Sequence, residues 1–444
     1  MDRLANLGRF VNSTPPVHVA VVGGGWSGMA AAADLAAHGI PVTVFEAAPV
    51  LGGRARRVDH AGVALDNGQH LLLGAYAETL SAIAQVTDLS AVSTRHPLRI
   101  SVPASLDLQC PRLPAPFHLL AGLLLARGLT LRDRWSAAAF IACQRIRRFR
   151  TDPHRTVDEL LSAHGQTERI CRHLWQPLCV AALNTPSHLA DAQTFLTVIR
   201  DGLAGHAHSA DLVFPAVDLS AMFPEPAARF VIDRGGDIRL NEAVTRLVPD
   251  GGRLLLTTPR AEQTFSHVVW ATDPARAIHS LDGVPEMRQA CDIIRRMAHE
   301  PITTVYLHYA GAAPALPFSM VGDEEGPAQW IFDRGALCAQ AGWIGAVISA
   351  ADDWRGVERS ALSGLVHRQL ERLAGTLPSP DSSMVITEKR ATFRCVPALE
   401  RPAQATPVPG LHLAGDYTRS EYPATLEAAV RSGRSCARSI LENL

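Results

Sequence analysis

A chain of 444 residues, 47% of them hydrophobic, has material for two domains or for one nucleotide fold carrying a large insertion. Its formal charge of −1 and pI near 7.0 exclude the basic footprint of a nucleic-acid binder. Its eight cysteines show neither a C-x-x-C pair nor zinc-like spacing, so reduced core thiols in a cytoplasmic protein without a signal peptide are expected.

Residues 1–16 are of mixed polarity, end in Pro15-Pro16, and read as a loose leader. The run from Val17 to Val22 is β-branched and of a length for a buried parallel strand. Gly23, Gly25 and Gly28 follow as G-x-G-x-x-G and open an alanine-rich helix through Trp26 and Ser27; Val42–Phe45 is the next strand, ending at Glu46. Gly23 permits the tight turn, Gly25 lets a pyrophosphate approach the backbone, and Gly28 lets helix pack on sheet. Free N–H groups at the helix start, at its partially positive end, are suited to phosphates. Glu46 can accept hydrogen bonds from both ribose hydroxyls and would repel a 2′-phosphate, which argues against NADP. Gly52, Gly53 and Arg54 lie just beyond this acid.

That arrangement resembles the flavoprotein superfamily of amine oxidases, phytoene desaturases and protoporphyrinogen oxidases, where a Gly-Gly-Arg loop runs along the FAD diphosphate. The resemblance implies FAD as cofactor. It also implies an α/β fold: a discontinuous Rossmann-like FAD-binding domain of the glutathione-reductase/amine-oxidase type, with an α+β substrate domain. The next stretch, Asp66-Asn67-Gly68-Gln69-His70 continuing to Gly74-Ala75-Tyr76, resembles the flavin-facing loop of this superfamily and, more narrowly, that of the hydroxysqualene dehydroxylases. Gly68 and Gln69 are carried over as flavin contacts. His70 is either an acid or hydrogen-bond donor near the flavin or a loop histidine bonded to backbone carbonyls.

From about residue 96 a predominantly helical insertion is expected. Pro114–Ala126 is apolar almost all round, and Trp135–Cys143 is a second apolar segment ending in Arg145, Arg147, Arg148 and Arg150. Both are shorter than the roughly 18 residues a membrane span requires. They form either a buried core pair or a patch dipping into one leaflet, with arginines at the headgroups. Trp175-Gln176-Pro177-Leu178 through Asn184-Thr185 again resembles the dehydroxylases; it is either a pocket wall for a hydrocarbon or a helix ending in a structural turn.

Asp211 onward is read as returning to the nucleotide domain, with Val244 on a strand and carried over as an adenine contact. Val268–Thr272 closes the insertion, and residues 286–395 complete the substrate domain with strands at Thr304–Tyr309 and Ile344–Ser349. At the other end of the chain, Gly415-Asp416 and the helix starting at Thr425-Leu426 resemble the C-terminal FAD motif, Asp416 being placed on the ribityl or phosphate groups. The expected division is 15–95, 211–285 and 396–444 for FAD, with 96–210 and 286–395 for substrate.

The resemblance implies reductive removal of an allylic hydroxyl from hydroxysqualene, giving squalene for hopanoid synthesis. His70 is the first candidate proton donor, followed by Tyr422 and Asp66. A phytoene-type desaturase or isomerase, a flavin amine oxidase and a non-redox isoprenoid carrier are the alternatives; amine oxidation is disfavoured because Thr303 stands where a lysine would be sought, and Cys395 is read as structural. Expected partners are a hydrophobic isoprenoid and an unspecified external electron donor, with peripheral contact at the inner face of the cell membrane a possibility; oligomeric state is left open.

Overall fold

The computed structural model describes residues 17–311 and 314–444, so the leader lies outside the described residues. Val19–Val22 and Val42–Phe45 are buried throughout, as the centre of a sheet covered on both faces requires. They join a five-stranded parallel sheet in the order Asp237–Arg239, Val42–Phe45, Val19–Val22, His267–Trp270, Leu411–Leu413. Neighbouring strands therefore come from widely separated parts of the chain. The alanine-rich helix Trp26–Ala37 is almost wholly buried between this sheet and the C-terminal helix Leu426–Glu442. Small side chains allow that approach: a Cβ at Gly433 would stand 1.9 Å from the Ser27 carbonyl oxygen.

An antiparallel sheet, Arg246–Asp250, Arg253–Thr257 and Glu262–Phe265, covers the opposite face through Leu247, Leu254 and Phe265. Val244 is not on a strand, contrary to expectation. It lies in the connection between Asp237–Arg239 and Arg246–Asp250, after the Glu242 N–H donates to the Glu46 carbonyl (2.9 Å) and before the Thr245 N–H donates to the Thr257 carbonyl (2.9 Å), where the chain passes from one sheet to the other.

The other half centres on an antiparallel sheet ordered Met320–Gly322, Trp330–Asp333, Trp343–Ile348, His299–His308, Ser382–Phe393. In the long strand His299–His308, between Trp343–Ile348 and Ser382–Phe393, Val305 and Leu307 face the helix Arg359–Ala374 through Leu362, Val366 and Leu370. Strand alternation turns Thr304 and Tyr306 the other way, where Tyr306 packs on Leu65.

Residues 96–210 begin with a β-hairpin, Arg99–Val102 and Leu106–Gln109, and only then become helical. Helices Phe117–Leu125 and Leu131–Ile146 form an α-hairpin whose inner face, including Leu119, Leu123 and Phe140, joins the main core of this half. Two single π-helical turns follow, Cys171–Trp175 and Ile199–Leu203. The α-hairpin is tied to the second of these: His118 Nε2 lies 3.1 Å from the Leu203 carbonyl oxygen, and Arg145 donates to the Ala204 carbonyl. The strand Leu212–Pro215 does not enter the parallel sheet; it pairs with Leu72–Leu73 and Ser93–His96. Its alternation puts Leu212 and Phe214 in one core and Val213 in the other.

Candidate functional site

The first crossover of the parallel sheet makes a backbone cradle. Gly23 adopts φ +109°, and a Cβ there would meet the Ala271 carbonyl oxygen at 2.6 Å. A Cβ at Gly28 would meet the Gly23 carbonyl oxygen at 1.9 Å, so only glycine lets this helix start so close to the strand. Met29 N–H is bonded to the Gly25 carbonyl (2.9 Å), leaving the amides of Trp26, Ser27 and Gly28 as the helix's unclaimed donors. Trp26 itself serves the fold: its indole N–H donates to the Ala55 carbonyl (3.0 Å), and its ring lies 5.1 Å from that of Phe223. Glu46 is buried, with Oε2 accepting from Gly24 N–H (2.7 Å) and Oε1 from Ala48 N–H (2.7 Å). Gly25 and Gly53 meet back to back, since a Cβ on Gly53 would lie 3.3 Å from Gly25 Cα.

Arg54 and Asp416, from the two ends of the chain, meet in an ion pair at 2.5 Å, and Arg54 also donates to the Ala391 carbonyl at 2.5 Å. A buried arginine that the sequence reading missed, Arg401, holds the following loop through the carbonyls of Asp416 (2.5 Å), Ser420 (3.1 Å) and Tyr422 (2.8 Å). Burial pulls its guanidinium down to about 10. Thr425 caps the C-terminal helix by accepting from Ala428 N–H (3.2 Å), which places Leu426 in its first turn.

The Asp66–His70 loop rests on a second missed arginine, Arg334, only 3% exposed. Arg334 donates to Gln69 Oε1 (2.5 Å) and Gln340 Oε1 (2.6 Å), stands 3.6 Å from Asp66 Oδ2, and lies over the Tyr306 ring. Asp66 Oδ1 accepts from Leu219 N–H (2.8 Å), and its carbonyl accepts from the Tyr306 hydroxyl (3.0 Å). Burial raises the Asp66 carboxyl to about 6, with Arg334 opposing. A Cβ at Gly68 would sit 3.6 Å from His70 Nε2 and 3.7 Å from Thr304 Oγ1. Thr304, not Thr303, therefore faces this loop; Thr303 bonds to Thr387 at 2.8 Å. Burial, helped by Arg54, holds His70 down to about 4. At neutral pH its ring is thus a neutral hydrogen-bonding group, and the imidazolium form that the acid reading requires is disfavoured.

Asp66, His70 and Tyr422 are not joined by hydrogen bonds. The Tyr422 hydroxyl donates to Asp201 Oδ2 (2.5 Å), while Arg431 lies over its ring. Asn184 and Thr185 act as a structural junction. Asn184, at φ +47°, ends the helix Gln176–Leu183, bonds to Thr392 (3.0 Å) and accepts from Ala350 N–H (2.6 Å), while Thr185 accepts from Cys395 N–H (3.0 Å). All eight cysteines are free thiols, and burial pushes Cys395 up to about 12.

The arrangement fits FAD on its own chemistry: free amides at a helix start beside a buried acid suit an adenosine diphosphate, and buried polar groups without partners remain for a bound group to address. Thr304 Oγ1, His299 Nε2 and the Tyr417 hydroxyl are buried with no hydrogen-bond partner, as expected of groups that address a bound cofactor. Among the described residues no cluster suits a metal ion and no helix is long and apolar enough to cross a membrane. The family model for flavin containing amine oxidoreductase matches residues 26–441. A hydroxysqualene dehydroxylase from Rhodopseudomonas palustris is 27% identical over 95% of this chain and 98% of its own length. A zeta-carotene desaturase from Zea mays is 24% identical, covering 95% and 82%. Cyclohexylamine oxidase from Brevibacterium oxydans superposes with a TM-score of 0.67 at 18% identity, over 97% of this chain and 99% of that one. With the family model matching nearly the whole chain and a backbone cradle suited to a dinucleotide in place, the chain belongs to the flavin-containing amine oxidoreductases and is an FAD-dependent oxidoreductase.

Proposed function

We propose that this enzyme reductively removes the hydroxyl of hydroxysqualene to give squalene, working as an FAD domain (15–95, 211–285, 396–444) and a substrate domain (96–210, 286–395). The observation that carries the reading is the end-to-end similarity to hydroxysqualene dehydroxylase, which runs through the Asp66–His70 loop. When bound and reduced, FAD supplies hydride, and an external two-electron donor restores it. The chain's tasks are to bind, orient and keep water out. Gly23, Gly25, Ser27, Gly28 and Glu46 would hold the adenosine diphosphate end with Val244, while Gly53, Arg54, Asp416, Thr425 and Leu426 would hold the diphosphate and ribityl part. Gly68 and Gln69 would line the ring. The reaction consumes one hydride from the reduced flavin and one proton from solvent, the hydroxyl leaving as water to give an allylic cation; a neutral His70 N–H hydrogen-bonds that hydroxyl, Asp66 fixes its loop, and Tyr422, held by Asp201, ranks behind His70 as an alternative proton donor. Excluding water matters because water would recapture the allylic cation and return the alcohol. A substrate of this class comes from a lipid phase, which supports a peripheral position at the inner face of the membrane.

Anaerobic incubation of the reduced protein with hydroxysqualene is expected to give squalene together with reoxidised flavin. In His70→Ala, turnover is expected to fall about 10²-fold or more with flavin retained; unchanged turnover removes His70 from this role. The similarity to zeta-carotene desaturase favours oxidative polyene desaturation as the second reading. Reducible flavin without squalene formation selects it.

A further inference from the structure

Twelve large hydrophobic side chains stand exposed among the described residues, and eight of them fall between Leu113 and Ile146. They include Phe117, Leu120, Leu124 and Leu125 on one helix of the α-hairpin, with Leu131 and Trp135 on the other; Leu125, Leu131 and Trp135 are 73%, 71% and 74% exposed. The inward face of the hairpin already supplies its packing through Leu119, Leu123, Ala137 and Phe140, so the outward face is not needed for folding.

The tip closes part of its own backbone. Thr130 and Asp133 form a capping box, and Arg134 donates to the carbonyls of Leu124 (2.7 Å) and Ala126 (2.8 Å), covering the end of the first helix. A segment whose carbonyls are closed by its own side chain can leave water at low cost.

Charge identifies the occupant. Residues 111–150 hold eight arginines and one acid, Asp133, in a chain whose net charge is −1. Asp133 is 2% exposed and bonded to Thr130 and Thr167. Arg112, Arg127, Arg132, Arg147, Arg148 and Arg150 are exposed, and none of them pairs with a carboxylate among the described residues; nearby Asp107 is taken by Arg99. An isologous contact with a second copy would set this arginine ring against itself.

We propose that the outward face of the α-hairpin docks on an anionic bilayer, with its leucines, Phe117 and Trp135 entering the acyl boundary and the arginines meeting lipid phosphates. The proposal rests on the peripheral placement given above and names its surface, independently of which reaction the flavin performs.

Sedimentation of the holoenzyme with phosphatidylcholine vesicles, with and without phosphatidylglycerol, tests it. Binding is expected to be stronger with the anionic lipid and to weaken in high salt. The double variant L125E/W135E should bind at least tenfold less while keeping its flavin absorbance, and I232E, altering an exposed apolar side chain elsewhere, should bind as wild type. Wild type remaining in the supernatant with both vesicles overturns the proposal, as does equal binding by the double variant. A wild-type dimer that becomes monomeric in L125E/W135E without vesicle binding also overturns it and assigns the face to a second copy. No outcome depends on turnover, so the dehydroxylation reading stands or falls separately.

Discussion

The dinucleotide cradle and the Asp66–His70 loop lie in one molecule but are built on opposite principles. In the cradle the chemistry belongs to the backbone: amides at a helix start, two glycines back to back, and a carboxylate fixed by Gly24 and Ala48. In the loop it belongs to side chains gathered from afar: Arg334 and Gln340 from the connection between Trp330–Asp333 and Trp343–Ile348, with Thr304 and Tyr306 from the strand His299–His308. At Gly23 and Gly28 the backbone site tolerates no added atom, whereas a side-chain site tolerates changes of shape but not the loss of a partner.

The largest effect that would test this contrast is in the cradle. Gly28→Val puts side-chain atoms where even a Cβ lies 1.9 Å from the Gly23 carbonyl oxygen. A destabilisation above about 4 kcal/mol is expected, seen as loss of flavin absorbance and collapse of the thermal transition. A variant that keeps flavin and melts as wild type breaks the comparison.

In the loop, Arg334→Met removes the counter-charge of buried Asp66 and the donor to Gln69. About 3 kcal/mol is expected, read from urea unfolding, with flavin affinity close to that of wild type and turnover strongly reduced. Equal losses of flavin and turnover would merge the two regions into one unit.

These principles explain what was legible in the sequence. Gly23, Gly25, Gly28 and Glu46 could be read because a backbone site fixes residue types at fixed spacing; Arg54 and Asp416 were named separately, by the resemblance of the glycine-flanked stretches that hold them, and their pairing was not legible because 362 residues separate them. Arg334 and Arg401 could not: a buried arginine has no local signature, and Gln69 and Asp66 lie far from Arg334 in sequence. Asn184 and Thr185 were open to two readings because a polar pair after an apolar helix serves a pocket wall or a cap equally well; their partners on Thr392, Ala350 and Cys395 decide for the cap. Val244 was misplaced because extended backbone beside a strand carries the same pattern as the strand.

The smallest expected effect sharpens the electrostatic side. Burial holds His70 and His412 down to about 4, so their contribution to stability is complete above 6.5 and lost as pH falls through about 4. Asp66, raised to about 6, works in reverse: its contribution is complete below 3.8 and lost as pH rises through about 6. Two histidines outweigh one carboxyl, so the melting temperature is expected to fall on acidification between 6.5 and about 4. His412→Asn should make that fall shallower, and an unchanged profile would take His412 out of the account.

The π-helical turn Ile199–Leu203 carries a consequence of register. A π turn holds one residue more than the α-helix it interrupts, and each residue of an α-helix turns the chain by about 100°. Here the supernumerary residue lets one short segment present three things at once: the Leu203 and Ala204 carbonyls to the α-hairpin, and the Asp201 carboxylate to Tyr422. Deleting a single residue would keep every side chain's chemistry but swing Asp201 off Tyr422 or the carbonyls off His118 and Arg145. The α-hairpin and the tyrosine are thus phased to one another like two teeth on one wheel.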